Sequence, residues 1–357
     1  MNQEQYGSDE APWVKPLINW FYKNKRSMPW REASTPYHRW LSEIMLQQTR
    51  VDTGTPYFLR FVERYPDIPS LAKAQEDDVL KLWEGLGYYS RARNLLKAAR
   101  VMVEQHQGEF PSTEQEAKAL PGVGPYTTAA VLSMAYGVPL PSVDGNVLRV
   151  YARLTALGDN VMETATMKKV QQALARIIPR ERPGDFNEAM MELGALVCLP
   201  ANPACGACPV QDHCQAFATS QVEQLPVRIK KDTTTRHRYW VFYVLDSTQT
   251  KVAAKKNPPK GLLGGLWAFP MLEVMVEGKI KKESLTSMTG RQLEEQAKLD
   301  ALDQWKIQVE QIVHKGQKTH VFSHRHWTME VFCAFTGEEN LPEGFQWVAV
   351  DSLKDLA

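Results

Sequence analysis

The 357-residue chain contains no apolar run approaching the ~18 residues that a membrane-spanning helix needs, so hydropathy offers no such helix. Its opening stretch, MNQEQYGSDEAPW, lacks the basic-then-apolar layout of a secretory signal, and the expected location is the cytoplasm. Neither sign of charge is in excess. The net charge is +1, with 23 basic and 24 acidic residues up to position 220 and 19 and 17 after it. Any nucleic-acid binding must then rest on local basic patches and backbone amides, not on a global field. Cysteine is scarce, at five residues, yet Cys198, Cys205, Cys208 and Cys214 fall within seventeen positions while Cys333 stands alone. Without a secretion signal, that cluster reads as a metal or iron–sulfur site before it reads as disulfides, and Cys333 as a small core residue. Repeats of solenoid period and long low-complexity tracts are also missing.

What is present changes texture along the chain, and the length favours two or three domains. Residues 1–217 read as helical, with apolar residues at helical spacing and Pro or Gly between segments: VKPLINWFYKN, YHRWLSEIMLQQTRVD, DDVLKLWEGL, RARNLLKAARVMVEQH, TAAVLSMAYG and MKKVQQALARII. Residues 218–235 are polar and charged with one proline, and suit an exposed linker. Beyond them, in 236–357, HRYWVFYVLD, TKVAAKKN, GLWAFPML, THVFSHRHWTMEVFCAF and FQWVAVD read as strands and RQLEEQAKLDALDQW as a helix, predicting an α+β domain.

Three features carry chemistry. Leu120-Pro121-Gly122-Val123-Gly124-Pro125-Tyr126-Thr127 joins two helical stretches within about 110–135. Gly122 and Gly124 permit positive φ and close approach, and amides opening the next helix can meet a phosphate without much net positive charge. A tight helix–helix turn is the plainer reading of such glycines. Glu43 lies in the apolar helical context Trp40-Leu41-Ser42-Glu43-Ile44-Met45-Leu46, where desolvation raises a carboxyl pKa and suits a general acid. Asp144, ahead of NVLRVYARL, sits at or near a helix N-terminus, which favours its anion. One carboxyl pushed neutral and one kept charged is the division used to cleave glycosidic bonds. Taken singly, Glu43 is an exposed helix residue and Asp144 a plain N-cap. The cysteines, spaced by six, two and five residues, could hold Zn²⁺ or a 4Fe–4S cluster; one close pair instead of two favours the cluster.

The hairpin, the Val143-Asp144-Gly145-Asn146-Val147 segment and the 6-2-5 cysteine loop together resemble the helix-hairpin-helix DNA glycosylases of the endonuclease III superfamily, over roughly residues 15–217. The resemblance implies that Cys198, Cys205, Cys208 and Cys214 hold a 4Fe–4S cluster in the 198–214 loop, and that Asp144 is catalytic. Endonuclease III-like enzymes carry a lysine two residues past the second hairpin glycine, where it forms a Schiff base and cuts the strand. This chain has Tyr126 there, implying base removal alone. Met28-Pro29-Trp30-Arg31 and Glu43-Ile44-Met45-Leu46-Gln47-Gln48-Thr49 resemble the adenine glycosylase (MutY) branch. Gly261–Pro270 looks like that branch's Nudix-like C-terminal domain, here without the Nudix catalytic helix, and Phe322-Ser323-His324 resembles its 8-oxoguanine-reading loop.

The expected protein is therefore multidomain: an all-α helix-hairpin-helix glycosylase region with an iron–sulfur loop, plus an α+β Nudix-like domain. It acts as a monomer on double-stranded DNA carrying adenine opposite 8-oxoguanine, near the nucleoid. By resemblance, Glu43, Asp144, Tyr126 and Asn146 serve catalysis, and Trp30, Arg31, Leu46 and Glu188 line the base pocket. Gln48, Thr49, Tyr88, Gly122, Val123, Gly124, Phe322, Ser323 and His324 meet DNA, with Tyr88 and Gln48 filling the vacated stack. The rivals are a bifunctional glycosylase/lyase, a non-catalytic DNA-binding protein and an unrelated zinc protein.

Overall fold

The computed structural model describes residues 11–229, 234–258, 261–276, 279–280, 290–322 and 325–355, in two compact units, Met1–Lys230 and Lys231–Ala357. Among the described residues no helix is long and apolar enough to cross a membrane.

The first unit is helical: α1 (Val14–Asn24), α2 (Pro29–Glu32), α3 (Pro36–Leu46), α4 (Val51–Arg64), α5 (Ile68–Ala72), α6 (Glu76–Leu82), α7 (Ser90–Gln105), α8 (Glu114–Ala119), α9 (Pro125–Tyr136), α10 (Gly145–Leu154), α11 (Thr164–Ala175), α12 (Pro183–Leu196) and α13 (Gln215–Ala218). Start signals are local. Thr35 caps α3 by accepting from the His38 amide, and Pro36 occupies a position where its missing N–H costs nothing. Pro125 and Pro183 open α9 and α12 in the same way. Stretch Thr127–Ser133 of α9 is buried throughout, so this helix runs through the interior. One core joins Val14, Leu17, Ile18 and Phe21 of α1 to Phe186, Ala189, Met190 and Leu193 of α12 and to the apolar face of α10. Two glycines let α12 approach its neighbours closely. A Cβ on Gly184 would lie 2.9 Å from the Ser133 carbonyl oxygen of α9, and one on Gly194 would lie 2.6 Å from Asn146 Cβ of α10. Residues between them on α12 are thereby pressed against both helices that carry the hairpin and Asp144.

Two expectations need correction here. The run YHRWLSEIMLQQTRVD is not one helix: α3 ends at Leu46 and α4 begins at Val51, with Gln48 in the left-handed region at φ 59°. Nor is 218–235 wholly an exposed linker, because Leu225 is buried, Val161 N–H donates to Val227 O at 3.0 Å, and Arg153 Nε donates to Val222 and Leu225 carbonyls.

The second unit is one mixed sheet with a helix on it: β1 (Thr235–Leu245), β2 (Lys251–Lys256), β3 (Trp267–Ala268), β4 (Met271–Val276), β5 (Lys279–Ile280), α14 (Arg291–Trp305), β6 (Gln311–Val321), β7 (Arg325–Phe335) and β8 (Phe345–Ala349). β1 is central, pairing parallel with β7 from Thr235↔Arg325 to Leu245↔Phe335 and antiparallel with β4, and meeting β2 at Leu245↔Val252. β6 pairs with β7, β4 with β5, and β2 with β3 and β8. Leu293, Ala297 and Ala301 of α14 cover Trp240, Phe242, Phe332 and Ala334. Strand alternation then places Cys333, between the last two, on the opposite face, where it is half-buried; it is not a core residue.

Candidate active site and cysteine loop

Six helices of the first unit converge on a cleft of about 790 Å³, and ten of the residues singled out in the sequence line it: Trp30, Arg31, Glu43, Leu46, Gln48, Thr49, Tyr126, Asp144, Asn146 and Glu188. Tyr88 and hairpin residues Gly122, Val123 and Gly124 lie outside its wall.

Glu43 projects from α3 and accepts a 2.7 Å hydrogen bond at Oε2 from the Tyr126 hydroxyl. Burial raises the carboxyl to about 7, with the Asp144 charge adding to the shift and the Tyr126 hydrogen bond opposing it. Burial likewise pushes the Tyr126 hydroxyl well up, so it stays a donor. Asp144 caps α10: Oδ1 accepts from the Val147 amide at 2.7 Å and Oδ2 from Asn146 Nδ2 at 3.0 Å. The sequence led us to expect the helix end to favour the Asp144 anion. Instead burial raises it, and the Val147 and Asn146 donors only moderate the rise. The contrast between the two acids lies in their donors, one hydroxyl on Glu43 against several N–H groups on Asp144.

Below the acids lies an ion network that sequence reasoning found only in part. Glu188 accepts from Arg31 Nε and Arg39 Nη1, both at 2.7 Å, and Glu192 from Arg26 Nε at 2.8 Å and Arg31 Nη2 at 3.1 Å. Despite its burial, Glu192 is held down to about 2 by hydrogen bonds from Arg26 and Arg31. Arg31 pays the desolvation but is raised above its usual value by Glu188 and Glu192. Arg26, Arg39 and Glu192 were missed; for Arg39 and Glu192 the available signal was a charged residue inside a mostly apolar helical segment. Trp30 packs edge-on against Phe58 at 5.2 Å, and Gly54 leaves room for Leu46, whose Cδ2 would lie 2.8 Å from an added Cβ.

In the hairpin, Gly122 has φ +74°, and a Cβ there would lie 2.6 Å from Asn94 Cβ. Gly124 differs from expectation: it caps α9 in an extended conformation, with open space in front of it. The Val123 amide closes the turn ahead of Gly124 by donating to Leu120 O at 3.1 Å. In the second unit Phe322 sits at the β6–β7 turn, its amide donating to Arg325 O at 2.7 Å and its ring 4.9 Å from Trp327. Ser323 and His324 lie outside the described residues.

All four loop cysteines border one small pocket of about 30 Å³ together with Arg153. Among the described residues no group of three His, Cys, Asp or Glu side chains is arranged for a single metal ion. Burial raises Cys205, Cys208 and Cys214, with negative charge on neighbouring thiols adding to it, a conflict that a cationic centre among them would remove. Arg153 Nη1 donates to Cys198 Sγ at 3.4 Å. Arg149 spans the two sites, giving Nη2 to Asn146 Oδ1 at 2.7 Å and Nε to Cys198 O at 2.8 Å.

A helical unit with a glycine hairpin, paired acids in a cleft and a four-cysteine loop defines a class, and residues 41–180 match the HhH-GPD superfamily of base excision DNA repair proteins. Residues 240–357 match the NUDIX domain family. A thermostable thymine-DNA glycosylase structure superposes with TM-score 0.54 at 26% identity, over 58% of this chain and 95% of that one. An adenine DNA glycosylase of Buchnera aphidicola subsp. Schizaphis graminum is 35% identical over 262 residues, 73% of this chain and 75% of its own length. Another, from Mus musculus, is 33% identical over 98% of this chain and 76% of its own. The chain thus belongs to the adenine DNA glycosylase family, enzymes of base excision repair.

Proposed function

We propose that this chain hydrolyses the N-glycosidic bond of adenine paired with 8-oxoguanine or guanine in duplex DNA, leaving an abasic site without cutting the strand. The observation that carries the reading is that Glu43 and Asp144 border one cleft, with the Tyr126 hydroxyl on Glu43 where a lyase would present an amine. The adenine is flipped into the cleft, and Gln48 and Tyr88 occupy the vacated stack. Glu43, near pKa 7, is protonated often enough at neutral pH to give its proton to N7, so the base departs neutral. The glycosidic bond breaks with its electron pair going to adenine. Asp144, positioned by Asn146, stabilises the resulting oxocarbenium sugar electrostatically or captures it covalently. Glu43, now a carboxylate, takes a proton from water as the water oxygen bonds to the sugar carbon; where Asp144 has bonded to that carbon, its C–O bond breaks in this step and the electron pair returns to the Asp144 carboxylate.

The four cysteines fit a 4Fe–4S cluster, which when bound supplies a rigid staple for the 198–214 loop. Phe322, Ser323 and His324 are assigned to the 8-oxoguanine strand, and the protein works as a monomer in the cytoplasm. The test is a duplex with adenine opposite 8-oxoguanine, incubated with the chain and analysed with and without alkali. Strand breaks only after alkali support the reading; breaks without alkali, or a borohydride-trapped adduct, contradict it. Ser323→Ala with His324→Ala should erode preference for 8-oxoguanine over guanine without stopping adenine release.

A further inference from the structure

Gln48 and Tyr88 stand on different turns, far apart in sequence, and each is a non-glycine residue in the left-handed region, at φ 59° and 49°. Such backbone is disfavoured by about 1–3 kcal/mol and persists only where its surroundings impose it. One side chain lies under both turns. From the first turn of α7, Arg91 Nη1 donates to the carbonyls of Ile44 at 3.0 Å, Met45 at 2.9 Å and Gln47 at 2.6 Å. Its Nη2 donates to Leu86 O and Gly87 O, both at 3.2 Å. The guanidinium is also 5.6 Å from the Tyr88 ring. Arg91 is buried, and burial draws it down to about 10. A helix cap would need one donor group; here the second group reaches the backbone just ahead of Tyr88. The planar fork with two separated NH₂ groups is what can tie two turns together, which a single ammonium cannot do.

We propose that Arg91 is a positioning residue for base extrusion, locking the Gln48 turn to the Tyr88 turn so that both side chains enter the duplex as one wedge. The proposal rests on the reading of the chain as a base-flipping adenine glycosylase. Misplacing positioning groups by about 1 Å can cost on the order of a hundredfold in rate. Arg91→Lys keeps the charge but spans only one turn. It should lower single-turnover adenine release from a fully paired duplex by about ten- to a hundredfold. Release from a duplex whose adenine sits in an unpaired bubble, already unstacked, should fall by less than about threefold.

Equal losses on both duplexes overturn the clamp, since a general loss of structure does not distinguish them. Wild-type chain that releases adenine from neither duplex overturns the glycosylase reading and the clamp with it. If Arg91→Lys does not fold, a cycle of Gln48→Ala and Tyr88→Ala, both exposed, decides the matter. One wedge predicts a double variant scarcely worse than the poorer single; losses that multiply overturn the proposal.

Discussion

Replacing Tyr126 by phenylalanine removes the single hydroxyl that donates to Glu43, and the site fixes the direction of the consequence. That hydrogen bond, at 2.7 Å, favours the Glu43 anion against the burial that holds the group at about 7. A hydrogen bond to a charged group contributes about 1.5–3 kcal/mol, which corresponds to about one to two pH units. An acid catalyst acts protonated, so on its alkaline side wild-type release should fall as pH rises through about 7. Tyr126→Phe should move the midpoint of that fall up by about one to two pH units, whatever happens to the plateau. The assay is adenine release with enzyme in excess over duplex, from acid to mildly alkaline pH, so that product dissociation does not enter. A midpoint unchanged or moved down would refute the assignment of Glu43 as the acid.

Three further outcomes follow from the geometry. Glu43→Gln should stabilise the fold at alkaline pH, because a raised carboxyl favours the folded state in its protonated form. The cost of the anion is absent below the ordinary value of 4.5 and grows up to about 7. Discounted for the open cleft, the gain at pH 8 is about 2 kcal/mol, vanishing near pH 4, and melting curves at both pH values check it. Glu192→Gln should destabilise by about 2 kcal/mol at pH 7, since it takes the buried carboxylate from Arg26 and leaves Arg31 with Glu188 as its carboxylate partner. The wild-type advantage, present above the ordinary value of 4.5, should be lost as pH falls toward about 2, as denaturant titrations would register. Gly122→Ala should lower stability, having both positive φ and Asn94 in the way, whereas Gly124→Ala should leave it unchanged. If the hairpin meets a phosphate, Gly124→Ala should still weaken duplex binding; unchanged affinity contradicts that contact.

Local signals carried much of the architecture. The segment VKPLINWFYKN is α1 and RQLEEQAKLDALDQW is α14, each delimited by its own apolar spacing and neighbouring breakers. Glu43 was legible as a desolvated acid because its helix is apolar on the sides that pack. Asp144 was legible as an N-cap but not as a buried one, since the helices enclosing it come from distant segments. Failures have the same origin. Nothing local ends α3 at Leu46; the break is held by Arg91, more than forty residues on, which takes the carbonyls that another turn would have used. Its trace was faint: Arg91 shares a helical face with buried Leu95 and Ala98, a charge on an apolar stripe. β6 was read only at its end because Gln311–Val321 is mostly polar, its pairing with β7 being what makes it a strand.

The central claim is that Glu43 and Asp144 act across one flipped nucleotide, the first by moving a proton and the second by holding charge against the sugar. Its most direct test is adenine release by Glu43→Gln and by Asp144→Asn, measured beside binding of the same adenine:8-oxoguanine duplex. The account predicts that release falls by about 10²–10⁴-fold or more in each variant while binding is largely retained. Release at a rate near wild type from either variant contradicts it.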